Sequence, residues 1–302
     1  MALSASTVDT LDTLTIGFIG TGRLGKALAL ALMDRGLKVT GVGSLTLEES
    51  APLAAAIPGC ANLTPQQVVD QCDLVFVTTV DGAIESTANA LQWRAGMGVV
   101  HCSGATEVSS LAKAERDGAS IGGFHPMQTF GDPEAARRSL PGCTVTIEAS
   151  SPLDEVLRAI ASRLECPVNQ LPPGMRGRYH AAAGYASQFI NVILREASAI
   201  WQSWGAQEDA AVAAMLPLVQ GTLASIASAG LARGMPGPVS RGDIVSIEKH
   251  LDSLSTLDAP LQQLYRAMCG RSIALGLESG GINAEQAKTL HAMLGTSDRL
   301  GN

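Results

Sequence analysis

The sequence predicts a two-part α/β protein, with an N-terminal doubly wound Rossmann domain built on a mainly parallel sheet and an all-helical C-terminal domain. Three observations carry this expectation. Short apolar strands alternate with stretches of helical spacing from residue 14 to about residue 171, a Gly-rich turn joins the first strand to the first helix, and strand-like runs cease after Pro172-Pro173-Gly174.

In chain order, strands are expected over 14–19, 39–42, 74–78, 98–102, 120–124, 144–148 and 167–171. Helical spacing between them is clearest over 24–35 and 153–164. Beyond residue 172 helices are expected over 176–204, 207–229, 243–253, 259–278 and 284–294. The domains therefore read as 1–172, with 1–13 as a loose tail, and 173–302 for substrate binding and dimerisation.

Composition narrows the function classes. With 302 residues, 46% of them hydrophobic, the chain can bury a sizeable core. A formal charge of −7 gives no basic stripe for a nucleic-acid backbone. The start of the chain lacks the positive residues and apolar run of a signal peptide. The apolar runs 28–33 and 74–77 are much shorter than the roughly 20 residues of a membrane span. Six scattered cysteines, at 60, 72, 102, 143, 166 and 269, show no metal-ligand spacing and read as reduced thiols. No metal, nucleic acid or membrane partner is expected, and the location is expected to be cytoplasmic.

Gly20-Thr21-Gly22-Arg23-Leu24-Gly25 follows directly on the first strand and opens the first helix. The first glycine permits the tight turn, the second lets a pyrophosphate approach the backbone, and the third lets helix and strand pack closely. The helix N-terminus then faces the phosphates. NAD sites usually place an acid near the end of the second strand, but here Val42-Gly43-Ser44 stands there, with no acid between Gly36 and Leu47. NADP is therefore favoured, with NAD as the alternative, and Ser44 with Arg23 is expected to hold the 2′-phosphate. Thr78, Thr79 and Val80, at the end of another strand, join the cofactor set; Asp81 reads equally as a ligand or a helix cap.

Two further strand ends carry polar residues, His101-Cys102-Ser103-Gly104 and the loop from Phe124 to Phe130. His125 precedes Pro126 and is therefore presented from a stiff loop, with a ring able to take or give a proton near neutrality. Ser103 is expected beside both cofactor and substrate, and Gln128 beside substrate. After residue 172, Arg176, His180, Ala183, Gly184, Ser187 and Asn191 fall along one helical face, while Tyr179 supplies bulk for the core. The small Ala183 and Gly184 suit a ligand or a neighbouring helix equally. Arg241 could fork a substrate carboxylate, with Asp243 orienting it or capping a helix, and His250 suits either a core or a pocket wall.

These motifs, with Tyr179-His180-Ala181-Ala182-Ala183 and the Gly237-to-Asp243 turn, give the chain its resemblance. It resembles the Rossmann-like oxidoreductases related to 6-phosphogluconate, 3-hydroxyisobutyrate and prephenate dehydrogenases, ketopantoate reductase and pyrroline-5-carboxylate reductase. More narrowly it is similar to a bacterial branch with a helical domain of unknown function, over residues 14 to about 275. The resemblance implies a homodimer through the helical domains, substrate beside the nicotinamide, and a proton donor on the first long helix. Relatives commonly carry a Lys four residues before an Asn there; this chain has Arg176 and His180, and Gln188 where the branch usually shows Asn. Arg is a poor proton donor, so Arg176 is assigned to charge stabilisation and His180 or His125 to proton transfer. Ser187 and Gln188 join the expected substrate set.

The expected activity is hydride transfer to or from a small hydroxy or keto acid or an imine. The alternatives are a dinucleotide-binding regulator without turnover and an enzyme that uses bound dinucleotide for a non-redox step.

Overall fold

The computed structural model describes residues 11–296. Of the expected tail, residues 1–10 lie outside the described residues, and Leu11–Thr13 forms a 3-10 turn with Leu11 buried. The contacts divide the chain into two compact units, residues up to Ser187 and residues from Gln188 onward.

The first unit holds one eight-stranded sheet: β1 (Thr15–Ile19), β2 (Lys38–Gly43), β3 (Ala61–Asn62), β4 (Leu74–Val77), β5 (Gly98–His101), β6 (Ser120–Pro126), β7 (Val145–Ala149) and β8 (Val168–Gln170). Their order is β3-β2-β1-β4-β5-β6-β7-β8. All neighbours are parallel except β6 and β7, which pair antiparallel with Phe124 opposite Ile147. The order reverses between β1 and β4, so a crevice opens at their carboxyl ends, where open α/β sheets bind ligands.

Helices cover the sheet: α1 (Arg23–Asp34), α2 (Leu47–Ala56), α3 (Pro65–Gln71), α4 (Ile84–Ala90), α5 (Ala112–Arg116), α6 (Pro133–Ser139) and α7 (Leu153–Arg163). α1 is almost all Leu and Ala in its interior, strong helix formers whose small and branched side chains pack flat on the sheet. α7 buries Leu153, Val156, Leu157 and Ile160, spaced by three and four. Between the strands Phe18 stacks on Phe76 with centroids 5.2 Å apart, and Phe76 meets Phe124 edge-on at 5.7 Å. All three rings are fully buried.

The expected helix over 176–204 is two helices. α8 (Arg176–Ala186) ends at Ser187, whose φ of −131° and ψ of −87° leave helical geometry, and α9 (Gln188–Gln202) follows. The expected common face from Arg176 to Asn191 is therefore broken, and Asn191 lies on α9. By contacts α8 stays with the sheet, so the change from strands to helices at 172/173 precedes the division between units.

The second unit is all-helical, with α9, α10 (Glu208–Arg233), α11 (Ile244–Leu254), α12 (Ala259–Ser279) and α13 (Ala284–Leu294). Val239, Ile247, Ile273, Ile282, Leu290 and Leu294 form its core. α10 is long and apolar enough to cross a membrane by length and composition alone, and only 6% of its most apolar stretch is buried. It contains Pro217 and bends at Gly230, which has a φ of 80°. All six cysteines are free thiols.

Because the Phe76 ring is packed by aromatic faces from two other strands, Phe76→Ala should cost about 3–5 kcal/mol. Urea denaturation followed by circular dichroism would show it as a lowered midpoint.

Candidate active site

The glycine loop is shaped from the backbone upward. Gly20 has a φ of 100°, and a Cβ there would stand 2.7 Å from the Thr79 nitrogen. A Cβ on Gly25 would collide with the Gly20 carbonyl and meet Thr78 Oγ1 at 2.7 Å. Thr78 Oγ1 donates to that same Gly20 carbonyl at 2.6 Å, joining the end of β4 to the loop. Gly22, by contrast, has nothing within 4 Å of where a Cβ would stand. It is also the N-cap of α1 and contributes no capping side chain, so the first N–H groups of the helix are left for a ligand.

Cavities flank this loop. One, of about 620 Å3, is lined by Gly22, Arg23, Thr78, Thr79, Asp81, Ser103, Gln128, His180 and Ser187. The other, of about 560 Å3, is lined by Gly20, Thr21, Gly22, Ser44, Leu45, Thr64, Pro65, Thr79 and Leu91. Thr79 Oγ1, shared by both walls, is buried without a hydrogen-bond partner. Two cavities on either side of a bare helix N-terminus fit a dinucleotide with its pyrophosphate in the middle.

Under the larger cavity lies a buried charge. Arg176, at the first turn of α8, is 0% exposed; its Nε donates to Glu148 Oε2 and its Nη1 to the Ser103 carbonyl, each at 2.7 Å. Its Nη2 is buried without a partner. A Cβ on Gly123 would collide with the guanidinium, so β6 carries glycine there to admit it. Beside it His101 is fully buried and accepts from the Ser103 N–H through Nδ1 at 3.2 Å. Burial first, and then the Arg176 charge, push His101 down to about 3.

Two histidines crowd Gly104. A Cβ on Gly104 would stand 2.8 Å from His180 Cδ2 and 2.9 Å from His125 Nε2. Tyr179 OH and His125 Nδ1 are 2.6 Å apart, with the rings edge to face. Burial, then His180 and Arg176, push His125 down to about 4, so its ring is neutral at physiological pH. Burial raises the Tyr179 hydroxyl, which shares a hydrogen bond with His125 Nδ1. That bond fixes the ring with Nε2 toward Gly104.

Gly20, Thr21, Gly22, Arg23, Leu24, Gly25, Thr78, Thr79 and Val80 converge on the loop and its cavities, and Ser103, Gln128, His180 and Ser187 line the larger one. Several expected roles change. Arg176 is turned away from the cavity onto Glu148 and Ser103, so it organises the site from beneath and does not face a substrate charge. His125, held neutral, is no cationic acid near pH 7. The Ser103 hydroxyl accepts from the Ala105 and Thr106 N–H groups and closes its own turn. Arg23 lines the larger cavity and Ser44 the smaller, and the two cavities share Gly22, Thr78, Thr79 and Val80.

Gln188, Arg241 and Asp243 belong to the second unit. Arg241 is exposed on a 3-10 turn, and the Asp243 carboxylate caps α11 by accepting from Ser246 N at 3.1 Å and Ser246 Oγ at 2.6 Å. His250 pairs with the Tyr265 hydroxyl at 2.7 Å. Tyr179 is the site residue that sequence reasoning assigned to the core. The available signal was a hydroxylated ring three residues after Arg176 and one before His180 on a helix rich in Ala and Gly.

A glycine-loop Rossmann site with a histidine-walled cavity defines the class of nicotinamide-dependent oxidoreductases. Residues 15–104 match the family described as NADP oxidoreductase, coenzyme F420-dependent, and residues 143–272 match DUF2520, a domain of unknown function. The chain thus carries an NADP-oxidoreductase-type Rossmann domain followed by a DUF2520 region that begins within the sheet and runs into the helices.

Among solved structures, the Bacteroides fragilis protein BF3122, provisionally named an NADP oxidoreductase, is 26% identical, with a TM-score of 0.67 over 87% of this chain and 99% of its own. Thermotoga maritima protein TM1727 is 21% identical, with a TM-score of 0.72 over 87% of this chain and 98% of its own. The reductive aminase of Aspergillus terreus, in complex with NADPH and ethyl-5-oxohexanoate, is 17% identical, with a TM-score of 0.55 over 93% of this chain and 92% of its own. A search of the curated proteins finds no match.

The neutral histidines give the fold a pH dependence. The unfolded chain protonates these side chains below about pH 6.5, whereas the folded protein resists until about 4 for His125 and about 3 for His101. Stability should therefore fall as the pH drops through that window, because the unfolded state binds more protons. Urea midpoints measured from pH 7 to pH 5 should decline, and less steeply in His125→Gln.

Proposed function

We propose that the protein is an NADP-dependent reductase or dehydrogenase acting on a small carbonyl, hydroxy-acid or imine substrate, with His180 as the proton donor. One observation carries this reading: the cavity bounded by the bare N-terminus of α1 is also walled by His180, whose ring, like that of Tyr179-bound His125, lies against Gly104. The reductive aminase named above supports the substrate class, since its complex holds NADPH with a keto ester.

The bound nicotinamide supplies or accepts the hydride. The chain supplies everything around it. The glycine loop and the first turn of α1 hold the pyrophosphate, and Thr79 offers its unpaired hydroxyl. His180, exposed in the cavity, gives the proton that a reduced carbonyl or imine requires and takes it back in the oxidative direction. His125, neutral and fixed by Tyr179, presents Nε2 to the substrate's polar atom and holds it near His180. Arg176 positions this group through the Ser103 carbonyl and its own helix.

NADPH oxidation in the presence of candidate keto acids and imines tests the reading. His180→Ala should lower kcat by about 10²- to 10⁴-fold, and Tyr179→Phe by less, since it removes only the orienting bond. Full activity in both His125→Ala and His180→Ala would overturn the proton-transfer assignment. Binding of NADPH without turnover on any carbonyl or imine would favour a regulator.

The protein would act in the cytoplasm as a homodimer, a second copy covering α10, where Leu216, Leu218, Leu223 and Leu231 are exposed among Ala, Gly and Ser. Such small side chains let helices approach closely. Sedimentation velocity should show a dimer that Leu218→Glu with Leu223→Glu converts to monomer; a protein that stays in solution only with detergent would assign α10 to a membrane instead.

A further inference from the structure

The end of β2 receives an acid that its own strand lacks. Ser44 follows β2, and its hydroxyl donates to Glu49 Oε2 at 2.7 Å. Glu49 lies in the first turn of α2, where the side chain of the N-cap Thr46 holds its N–H. Its carbonyl accepts from Thr21 Oγ1 of the glycine loop at 3.2 Å. Residue 49 is thus tied at once to the end of β2 and to the loop that receives the pyrophosphate.

The surroundings of Ser44 are short of positive charge. Ser44 lines the 560 Å3 cavity, whose lining is largely apolar and holds no Lys or Arg. Arg23 lines the cavity on the other side of the loop. In a Rossmann site the end of the second strand meets the adenosine ribose, where an acid accepts from a 2′-hydroxyl and an Arg accommodates a 2′-phosphate.

We propose that Glu49 sets the cofactor preference, its carboxylate standing at the adenosine ribose on the hydroxyl of Ser44. The inference rests on the dinucleotide reading of the same site. A carboxylate has about four acceptor positions, so one oxygen can keep Ser44 while the other accepts from a ribose 2′-hydroxyl. A 2′-phosphate meets a like charge there, and it recruits the Ser44 hydroxyl only by breaking the bond to Glu49. The protein consequently accepts NADPH against this opposition and admits NADH as well.

Calorimetric titration of the whole protein with NADPH and with NADH tests this in the wild type, Glu49→Gln and Glu48→Gln. Both glutamates are exposed in the first turn of α2, and neither side chain caps the helix, so the variants should keep the wild-type melting temperature. Glu49→Gln should shift the ratio of NADPH to NADH affinity toward NADPH by roughly tenfold, the effect of removing a partly screened like charge. Glu48→Gln, the same change of charge one residue away, should shift it by less than about threefold. An unchanged ratio in Glu49→Gln, or an equal shift in both variants, would overturn the assignment of Glu49 and leave the dinucleotide site standing. Failure of the wild type to bind either nucleotide would overturn both.

Discussion

A guanidinium withdrawn from water governs the site. Arg176 is fully buried, and a buried charge is tolerated only when paired and hydrogen-bonded. Its partners come from two different places, the Glu148 side chain on β7 and the Ser103 carbonyl after β5, while Gly123 on β6 clears the space. Removing the Glu148 carboxylate would leave an uncompensated charge at a cost of about 3–5 kcal/mol, and the Ser103 carbonyl ties the same guanidinium to the loop, so the strand, the loop and the first turn of α8 are held as one piece. Tyr179 and His180 come three and four residues later on that helix, and their positions are set by the same anchor. A lysine could not reproduce it, because a single ammonium lacks the planar fork that spans a carboxylate and a carbonyl at once.

The anchor also divides labour among the histidines. Its charge reaches His101 and His125, both already desolvated, and helps to hold them neutral. His101 accepts within the loop, His125 is held by Tyr179 beside Gly104, and His180 lines the cavity itself. The three rings thus differ in burial, His101 and His125 being withdrawn from water and His180 exposed.

Much of the fold was legible because its signals are local. The strand, glycine turn and helix from Thr15 to Asp34, the alternation up to β8 and the all-helical remainder follow from short-range periodicity and backbone requirements. The two-residue β3 was missed because so short a strand has no period to read. The break at Ser187 was missed because Ser is an ordinary helix residue and the break lies in its dihedral angles. Which strand ends and loops line the cavities was more legible than how their side chains meet. Burial turned Arg176 inward, a tertiary contact made Tyr179 a partner of His125, and the helix after β2 brought Glu49 back to Ser44 from five residues away. Each of these depends on how separate elements meet, which spacing along the chain does not encode.

The dihedral break at Ser187 also decides where this chain can be recombined. A chimera joined after Ser187 would keep Arg176 with Glu148 and carry Tyr179 and His180 beside the sheet they serve, whatever helices follow. A join at the Pro172-Pro173 punctuation would trade away the guanidinium and leave Glu148 without its charged partner. The natural seam for exchanging helical domains in this architecture therefore lies one helix later than composition suggests, and α8 travels with the sheet.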